Sequence, residues 1–271
     1  MEAALRPAFG LRYLRLMGLQ LKVALLGALQ YRADFFTQGL TTLTSIGFCL
    51  VPLLLVYRER AVVAGWTFPQ AVVLIGWFAL LQGIMEGAIN PSLTAVVEHI
   101  RKGTLDFILL KPADGQFLVS TSKFAPWRVL DAAAAIGLWV FAFLRLHRVP
   151  GPGSILAAGT LLVASVAVLY SLWILAISAA FWVVRLDNLA YFFDSILDFA
   201  RWPVSVFRGP LRFVFTFIIP LTILTTYPAQ ALLGSLSLRT GLLALGGAAA
   251  FTAIARWVWL QAIAHYTSAS S

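Results

Sequence analysis

The chain has 271 residues, of which 11% are charged and 61% are hydrophobic, and its mean hydropathy is +0.88. Soluble domains carry about 25% charged residues, so this composition excludes an ordinary soluble fold and predicts an all-α polytopic membrane protein. The net charge of +9 is typical of cationic loops beside an anionic leaflet. Arginine- and aromatic-rich RNA-binding patterns are missing, so we expect no nucleic acid partner.

A basic amphipathic segment precedes the first apolar run, with Arg12, Arg15 and Lys22 near one helical face. Such a helix lies in the plane of the membrane interface. We therefore assign residues 1–34 to a cytoplasmic, interfacial helix, which serves either as a membrane anchor or as a contact helix for a partner. The first apolar run begins near Phe35, too far along the chain for a cleavable signal peptide, so we expect the first span to be retained.

Five charge-poor runs are long enough to cross a hydrocarbon core of about 30 Å. They are Phe35–Tyr57, Ala61–Met85, Pro126–Leu144, Ser154–Val184 and Gly241–Ile263. Arg256 lies about two turns from the end of the last run, where its side chain can reach the interface. With one further span from the region between Arg185 and Thr240, residues 35–263 are expected to form a six-span bundle. Residues 264–271 are expected to form a cytoplasmic tail, and the whole chain, 1–271, a single domain.

The region between Arg185 and Thr240 has two interpretations. In the first, Leu186–Arg201 is a cytoplasmic amphipathic helix and Leu211–Gly234 is the fifth span. In the second, Leu186–Trp202 is the fifth span and Pro203–Gly234 is a re-entrant hairpin in the outer half of the membrane, interrupted by prolines. Broken helices are tolerated at membrane depth where protein or water satisfies the freed backbone groups. Both interpretations give six spans, with both termini on one side.

Basic residues indicate which side that is. The N-terminal segment and the loop after the second run carry more of them than the outer loops before the fourth run, which hold Arg58, Arg60, Arg145 and Arg148. The positive-inside rule therefore places both termini in the cytoplasm. Counted the same way, the four arginines of the ambiguous region favour its first interpretation.

The loop from Ile100 to Gly115 is both charged and apolar. Ser92 is a candidate cap for the helix that leads into it, Gly103 interrupts that helix, and Thr104 can cap a short second helix, Leu105–Leu110. Leu105, Ile108 and Leu109 share a face of that second helix by their spacing. Because so short a helix is unstable alone, something must cover it, either the lipid headgroup layer or a groove in a soluble partner.

Four acidic residues lie in or close to the apolar runs: Glu86, Asp131, Asp194 and Asp198. Charges in such places are costly, so they either line a polar path or pair with basic residues. The chain contains no nucleotide-binding motif, no metal-ligand cluster and no hydrolase motif. We therefore expect no catalytic residue, no metal and no cofactor in this chain.

With these features in place, the chain resembles permeases of the ABC-2-type transporter superfamily, in the branch described as ABC-2 family transporter protein or viologen-exporter-like permease. The resemblance covers nearly the whole chain. It is carried by "IRKGTLDFILLKPAD" at Ile100–Asp114, by "YRADFF" before the first run, and by "IIPLTILTTYPAQALLG" at Ile218–Gly234.

The resemblance implies a permease of the bacterial inner membrane that exports an amphiphilic small molecule or lipid. ABC ATPase subunits would bind ATP and Mg²⁺, and a second permease chain, identical or related, would complete the path. It also favours the re-entrant hairpin over the fifth-span alternative for the region before the last span. The ATPase would dock on a coupling helix formed by Ile100, Arg101, Gly103, Thr104, Leu105, Asp106, Phe107, Ile108, Leu109, Leu110 and Lys111.

A rival hypothesis is a stand-alone channel, carrier half or assembly scaffold that needs no ATP. No inverted repeat relates the two halves of the sequence, which argues against a carrier. A carrier also does not need an apolar helix that projects into the cytoplasm.

Overall fold

The structure is a computed structural model that describes residues 9–30, 32–179 and 195–265. It is built almost entirely of helices, which confirms the predicted all-α membrane fold. Asp187 and Asp194 lie outside the described residues, and so does most of the proposed fifth span Leu186–Trp202.

The first half of the chain contains the interfacial helix and two long helices. In chain order these elements are α1 (Phe9–Gln30), α2 (Arg32–Glu59), β1 (Val62–Val63), β2 (Trp66–Thr67), α3 (Phe68–Ile84), a π-helical turn (Met85–Ile89) and α4 (Asn90–Arg101). The two short strands pair antiparallel as a hairpin between α2 and α3. The π-helical turn joins α3 and α4 into one continuous helix, Phe68–Arg101.

The second half begins with two short helices, α5 (Asp106–Leu109) and α6 (Gly115–Ser120). A 3-10 turn (Pro126–Arg128) then leads into α7 (Val129–Leu146), which is followed by α8 (Pro152–Ala179). Beyond the undescribed stretch come a helical stretch at 195–199, a 3-10 turn (Val204–Val206), α9 (Pro210–Phe213), π-helical turns at Val214–Ile218 and Thr222–Thr226, α10 (Tyr227–Leu232) and α11 (Leu238–Ala264).

Five of the described helices are long and apolar enough to cross a membrane, in the places where the five charge-poor runs predicted them. The second span differs at both ends. It begins at Phe68 rather than at Ala61, because Val62–Thr67 form the strand hairpin. It continues to Arg101 without a break, so Ser92 is not a helix cap. Its buried hydroxyl donates instead to the carbonyl of Lys123, at 2.6 Å.

The buried core lies where α3 packs on α7 and where α8 packs on α11, around Trp173 and Trp259. Glycine allows the first of these contacts to be close. A Cβ added to Gly83 would lie 2.7 Å from Cβ of Asp131, and one added to Gly87 would lie 3.0 Å from Cβ of Arg128. This is the small-xxx-small packing expected of membrane helices.

The region before the last span is a bent helix pair, Pro210–Ile218 and Thr222–Leu232, with an angle of 68° between its two arms. Its two ends lie at the same end of the bundle. On one side the Ser205 hydroxyl donates to the carbonyl of Ala64, at 3.1 Å, in the strand hairpin. On the other side Gly234 approaches Ser154 near the start of α8. These contacts favour the re-entrant hairpin over a single fifth span at Leu211–Gly234.

The bend of this pair inserts between the spans. The Ser165 hydroxyl of α8 donates to the carbonyl of Ile223, at 2.8 Å. The helical rise from Pro152 to Ser165 places the bend about 20 Å along α8 from its first residue. We call the end of the bundle that carries Val62–Thr67 and Ser205 the hairpin end, and the opposite end, where α5 and α6 lie, the platform end.

Candidate functional site

The candidate site is the loop platform, defined as residues Ile100–Ser120. Helix α4 ends there in a Schellman motif, which returns the chain towards the bundle. Gly103 takes a positive φ of 65°, its N–H donates to the carbonyl of Ile100, and the N–H of Thr104 donates to the carbonyl of His99. The Thr104 hydroxyl and Nδ1 of His99 lie 2.8 Å apart and hold the turn.

Helix α5 is shorter than predicted, and its apolar face is oriented differently. Leu105 is 0% exposed and belongs to the buried core, and Ile108 and Leu109 pack against that core. The face that the i, i+3, i+4 spacing singled out for a partner is therefore covered by this chain itself, fully at Leu105 and partly at Ile108 and Leu109. The outward side carries Phe107 and Leu110, which are 71% and 81% exposed.

The loop after α5 is fixed to the N-terminal helix α1. The Arg12 guanidinium donates to the carbonyl of Pro112, at 2.6 Å. The N–H of Asp114 donates to the Tyr13 hydroxyl, at 3.0 Å, and the ring of Tyr13 packs edge-on against Phe117 with ring centroids 4.7 Å apart. In this chain the N-terminal helix is thus a contact helix for the loop platform. Its leucines stay exposed along much of its length, as an interfacial helix requires.

The same loop is fixed to the last span by a salt bridge. Asp114 caps α6 by accepting the N–H of Phe117 at 3.0 Å, and its other oxygen accepts from Arg256 at 2.6 Å. Arg256 also donates to the Gln116 side chain, at 2.5 Å. Burial alone would raise the pKa of Asp114, but the hydrogen bonds from Arg256 and Phe117 outweigh it and hold that pKa below its ordinary value. Arg256 therefore does not extend freely to the membrane interface; its guanidinium is held by the side chains of Asp114 and Gln116.

A further polar contact joins the platform to α8. The Gln116 amide donates to the Tyr170 hydroxyl at 2.9 Å, and the Ser120 hydroxyl lies 2.7 Å from the same atom. Tyr170 in α8 and Arg256 in α11 both lie in the second half of their helices, far from the hairpin end. The platform therefore contacts α1, α8 and α11 at one end of the bundle, in addition to α4, which leads into it.

The acidic residues predicted as path-lining or paired have basic partners where the structure describes them. The guanidinium of Arg128 lies 3.7 Å from the Glu86 carboxylate and 3.4 Å from that of Asp131. Asp131 is buried and also accepts from the Thr42 hydroxyl, at 2.5 Å. This cluster joins α2, the π-helical turn that follows α3, and the start of α7 near the platform end.

Asp198 forms a salt bridge with Arg201, whose guanidinium carbon lies 5.5 Å from the ring centroid of Phe78. Asp194, the remaining acidic residue of that set, lies outside the described residues. Across residues 9–30, 32–179 and 195–265, no three His, Cys, Asp or Glu side chains come together as a metal site requires.

Sequence reasoning missed two features of the platform. One is the link between Asp114 and Arg256, which are 142 residues apart, so no local spacing could pair them. The signals that were present are an aspartate just before a short helix, typical of an N-cap, and an arginine inside an apolar span. The other is that Phe107 and Leu110, which the resemblance named as members of the coupling helix, form its outward face.

Charge-poor helices of membrane-spanning length and a loop platform at one end define a multi-pass helical membrane protein. Residues 43–270 match the family described as ABC-2 family transporter protein. Because the match covers most of the chain, the chain belongs to that family of membrane transport proteins, which confirms the resemblance carried by Ile100–Asp114 and its supporting segments. No curated protein and no solved structure matches the chain.

Proposed function

We propose that this chain is the permease subunit of an ATP-binding-cassette exporter. It moves an amphiphilic small molecule or lipid across the bacterial inner membrane, and separate ABC ATPase subunits bind ATP with Mg²⁺ and hydrolyse it. Membership of the ABC-2 transporter family supports a transport role. The observation that carries the ATPase coupling is the exposed pair Phe107 and Leu110, on a helix whose opposite side is packed into the bundle.

An isolated four-residue helix has no stability of its own. Here α5 is held by the buried Leu105 and by the close approach of Leu109 to Gly115, whose added Cβ would lie 2.8 Å from the leucine. That anchoring presents two large apolar side chains on a fixed base. Close by in sequence are Lys111 and the pair Arg101 and Lys102, both of which form salt bridges with Glu98. Interfaces of this kind place apolar anchors in a pocket of the partner and charges at the rim.

In this proposal the platform end and both termini are cytoplasmic, and a second permease chain, identical or related, completes the path. Two ATPase subunits close on ATP and displace α5. The displacement reaches the second span through α4 and the last span through the Asp114–Arg256 salt bridge. The spans then move as rigid bodies and switch access from one side of the membrane to the other.

The experiment is co-purification with an ABC ATPase encoded beside the permease, using a tag on the permease. The test variant is Phe107→Asp with Leu110→Asp, which changes only the outward side of α5. The matched control is Val149→Asp with Leu238→Asp, two exposed apolar residues at the hairpin end. Leu105→Asp is unsuitable, because burying a carboxylate in the core would unfold the permease.

The expected result is that the ATPase co-elutes with the wild type and with the control, and that the Phe107 and Leu110 double variant loses it while eluting as a folded protein. ATPase retention by the double variant would refute docking on this face. Docking without any stimulation of ATP hydrolysis by reconstituted permease would favour the scaffold hypothesis instead.

A further inference from the structure

The re-entrant hairpin encloses a cavity of about 530 Å³ at the hairpin end of the bundle. One wall is α9 with the π-helical turn that follows it, and the other is the π-helical turn Thr222–Thr226 with α10. The volume falls within the range of about 300–1,000 Å³ that small-molecule sites occupy. The ATPase-docking proposal makes no use of this cavity.

The lining is mostly apolar but carries several polar side chains. Arg212, Thr216, Thr222, Tyr227 and Gln230 all contribute to it. Thr222 is only 7% exposed, and its hydroxyl has no hydrogen-bond partner among the described residues. Buried polar groups are nearly always paired, so the hydroxyl of this residue, which borders the cavity, lacks a partner that the described residues do not supply.

The backbone around the cavity is also unusual. Two consecutive π-helical turns, Val214–Ile218 and Thr222–Thr226, form facing parts of the wall. π-Helical turns are rare and occur frequently at functional sites. Thr222 and Thr226 belong to the second of these turns, and the Thr226 hydroxyl accepts from the N–H of Val204, which leaves Thr222 as the unpaired one.

The positive charge at the hairpin end favours an anionic ligand. Arg212 lines the cavity, is exposed at its mouth, and forms no salt bridge within the described part of the chain. The sequence contains no Asp or Glu after Asp198. The other loops of this end add Arg58, Arg60, Arg145, Arg148, Arg208 and Arg239, against the single acidic residue Glu59. In the orientation proposed above this is the outer end, where the positive-inside rule leads one to expect few arginines, so their number needs another cause. An anionic ligand is such a cause, because arginine recognises phosphate and carboxylate through two parallel hydrogen bonds.

The rim of the cavity supplies an apolar surface next to that charge. Phe213 and Phe217 line the cavity, stack at 5.2 Å between ring centroids, and are mostly exposed. A ligand held here therefore meets a guanidinium and hydroxyls at one part and aromatic rings at another. That combination suits an amphiphile rather than a small inorganic anion.

We propose that this cavity binds the anionic headgroup of an amphiphile. Arg212 pairs with the headgroup at the mouth, the Thr222 and Tyr227 hydroxyls hydrogen-bond to it inside, and Phe213 and Phe217 contact its apolar part. Binding itself requires no ATPase. The further statement that this amphiphile is the exported substrate rests on the proposed function above.

The test uses the full-length chain in a non-ionic detergent and titrates it with short-chain phosphatidic acid. Phosphatidylcholine of the same chain length and dodecyltrimethylammonium serve as charge controls. We expect saturable binding of phosphatidic acid, at least about tenfold tighter than that of either control. Arg212→Gln should weaken it at least about tenfold, equivalent to about 1.4 kcal/mol, and Thr222→Val should weaken it several-fold.

The matched variant is Arg239→Gln, which removes an exposed arginine of the same end that does not line the cavity. Its affinity should stay within about twofold of wild type. Equal losses in Arg239→Gln and Arg212→Gln would mean that the general surface charge attracts the anion, and this would overturn the site. Equal binding of phosphatidylcholine would overturn the anionic headgroup.

Mass spectrometry of the purified chain separates two sources of the same chemistry. Anionic phospholipid that co-purifies with wild type and is lost in Arg212→Gln would assign the site to a resident lipid and overturn the substrate assignment. Phosphatidic acid binding to a chain that carries no such lipid supports the substrate assignment. A failure of the ATPase co-purification leaves this titration unaffected, so the two proposals fail separately.

Discussion

The salt bridge between Asp114 and Arg256 is the contact that joins the loop platform to the last span, and two substitutions of Asp114 separate its two roles. Asp114→Asn removes the charge but keeps a good N-cap for α6, because Asn caps a helix about as well as Asp. Asp114→Ala removes both the ion pair and the cap. The two variants therefore form a graded pair at one position.

The expected sizes follow from exposure. The side chains of Asp114 and Arg256 are 37% and 41% exposed, so solvent screening limits the ion pair to about 0.2–1 kcal/mol. Loss of the cap adds about 1 kcal/mol. At about 2–4 °C per kcal/mol for chains of comparable length, Asp114→Asn should lower the melting temperature by at most about 4 °C. Asp114→Ala should lower it roughly twice as far.

The chain carries its own reporter for this measurement. Cys49 is its single cysteine and is buried, so a thiol-reactive dye reports when the bundle opens during a thermal ramp. Melting of Asp114→Ala at the wild-type temperature would show that the link contributes nothing to stability. A fall in Asp114→Asn as large as that in Asp114→Ala would show that the cap contributes nothing, and either result would refute the reasoning.

The same variants give a pH dependence, and the packing inside the bundle gives two more predictions. The folded-state pKa of Asp114 lies below its ordinary value of 3.8, so its stabilisation is fully present above about pH 5 and is lost as the pH falls through that lowered pKa. Far-UV circular dichroism should show the gap between wild type and Asp114→Asn closing below about pH 4, and a gap unchanged to pH 2 would contradict this. Gly83→Ala should lower the free energy of unfolding by about 1–3 kcal/mol through overpacking, because its Cβ would meet Asp131. The control is Gly47→Ala, whose Cβ meets nothing within 4 Å and which should leave the melting temperature in the same dye assay unchanged or raise it. Leu105→Ala should lower the free energy of unfolding by about 2–5 kcal/mol, because it truncates a core side chain. Phe107→Ala should change the melting temperature little. Equal losses of stability in the two variants would contradict the observed orientation of α5.

The spans could be predicted from the sequence because lipid imposes a simple requirement. A helix that crosses the hydrocarbon core must be apolar for about 20 residues, and hydropathy records that requirement directly. The ends of the second span were predicted less well. Val62–Thr67 is apolar yet forms a strand hairpin. Ser92 was expected to cap a new helix, whereas the helix continues through the π-helical turn Met85–Ile89 and through α4 to Arg101.

The orientation of α5 could not be predicted from spacing. Leu105, Ile108 and Leu109 share one face, and Phe107 and Leu110 share another by the i, i+3 rule. Periodicity shows that two apolar faces exist, but it does not show which of them this chain covers. Tertiary contacts decide this, through the core that encloses Leu105, and those contacts come from parts of the chain far away in sequence.

The hairpin illustrates how positive-inside counting can mislead. Counted as a topological signal, Arg208 and Arg212 placed their segment near the cytoplasm. The contacts of Ser205 with Ala64, and of Gly234 with Ser154, place the segment at the opposite end from the loop platform instead. The count along the sequence cannot register which end of the bundle a re-entrant segment reaches, because that depends on its tertiary contacts.

Two long helices connect the hairpin end of the bundle to the platform end. Helix α3 continues through α4 as one unbroken helix, Phe68–Arg101, from the strand hairpin to the loop platform. Helix α11 begins just after the re-entrant hairpin and carries Arg256, whose guanidinium pairs with Asp114 in the platform. A displacement of α5 by a partner would therefore reach the hairpin cavity along two rigid routes, since packed helices move as units rather than deforming gradually.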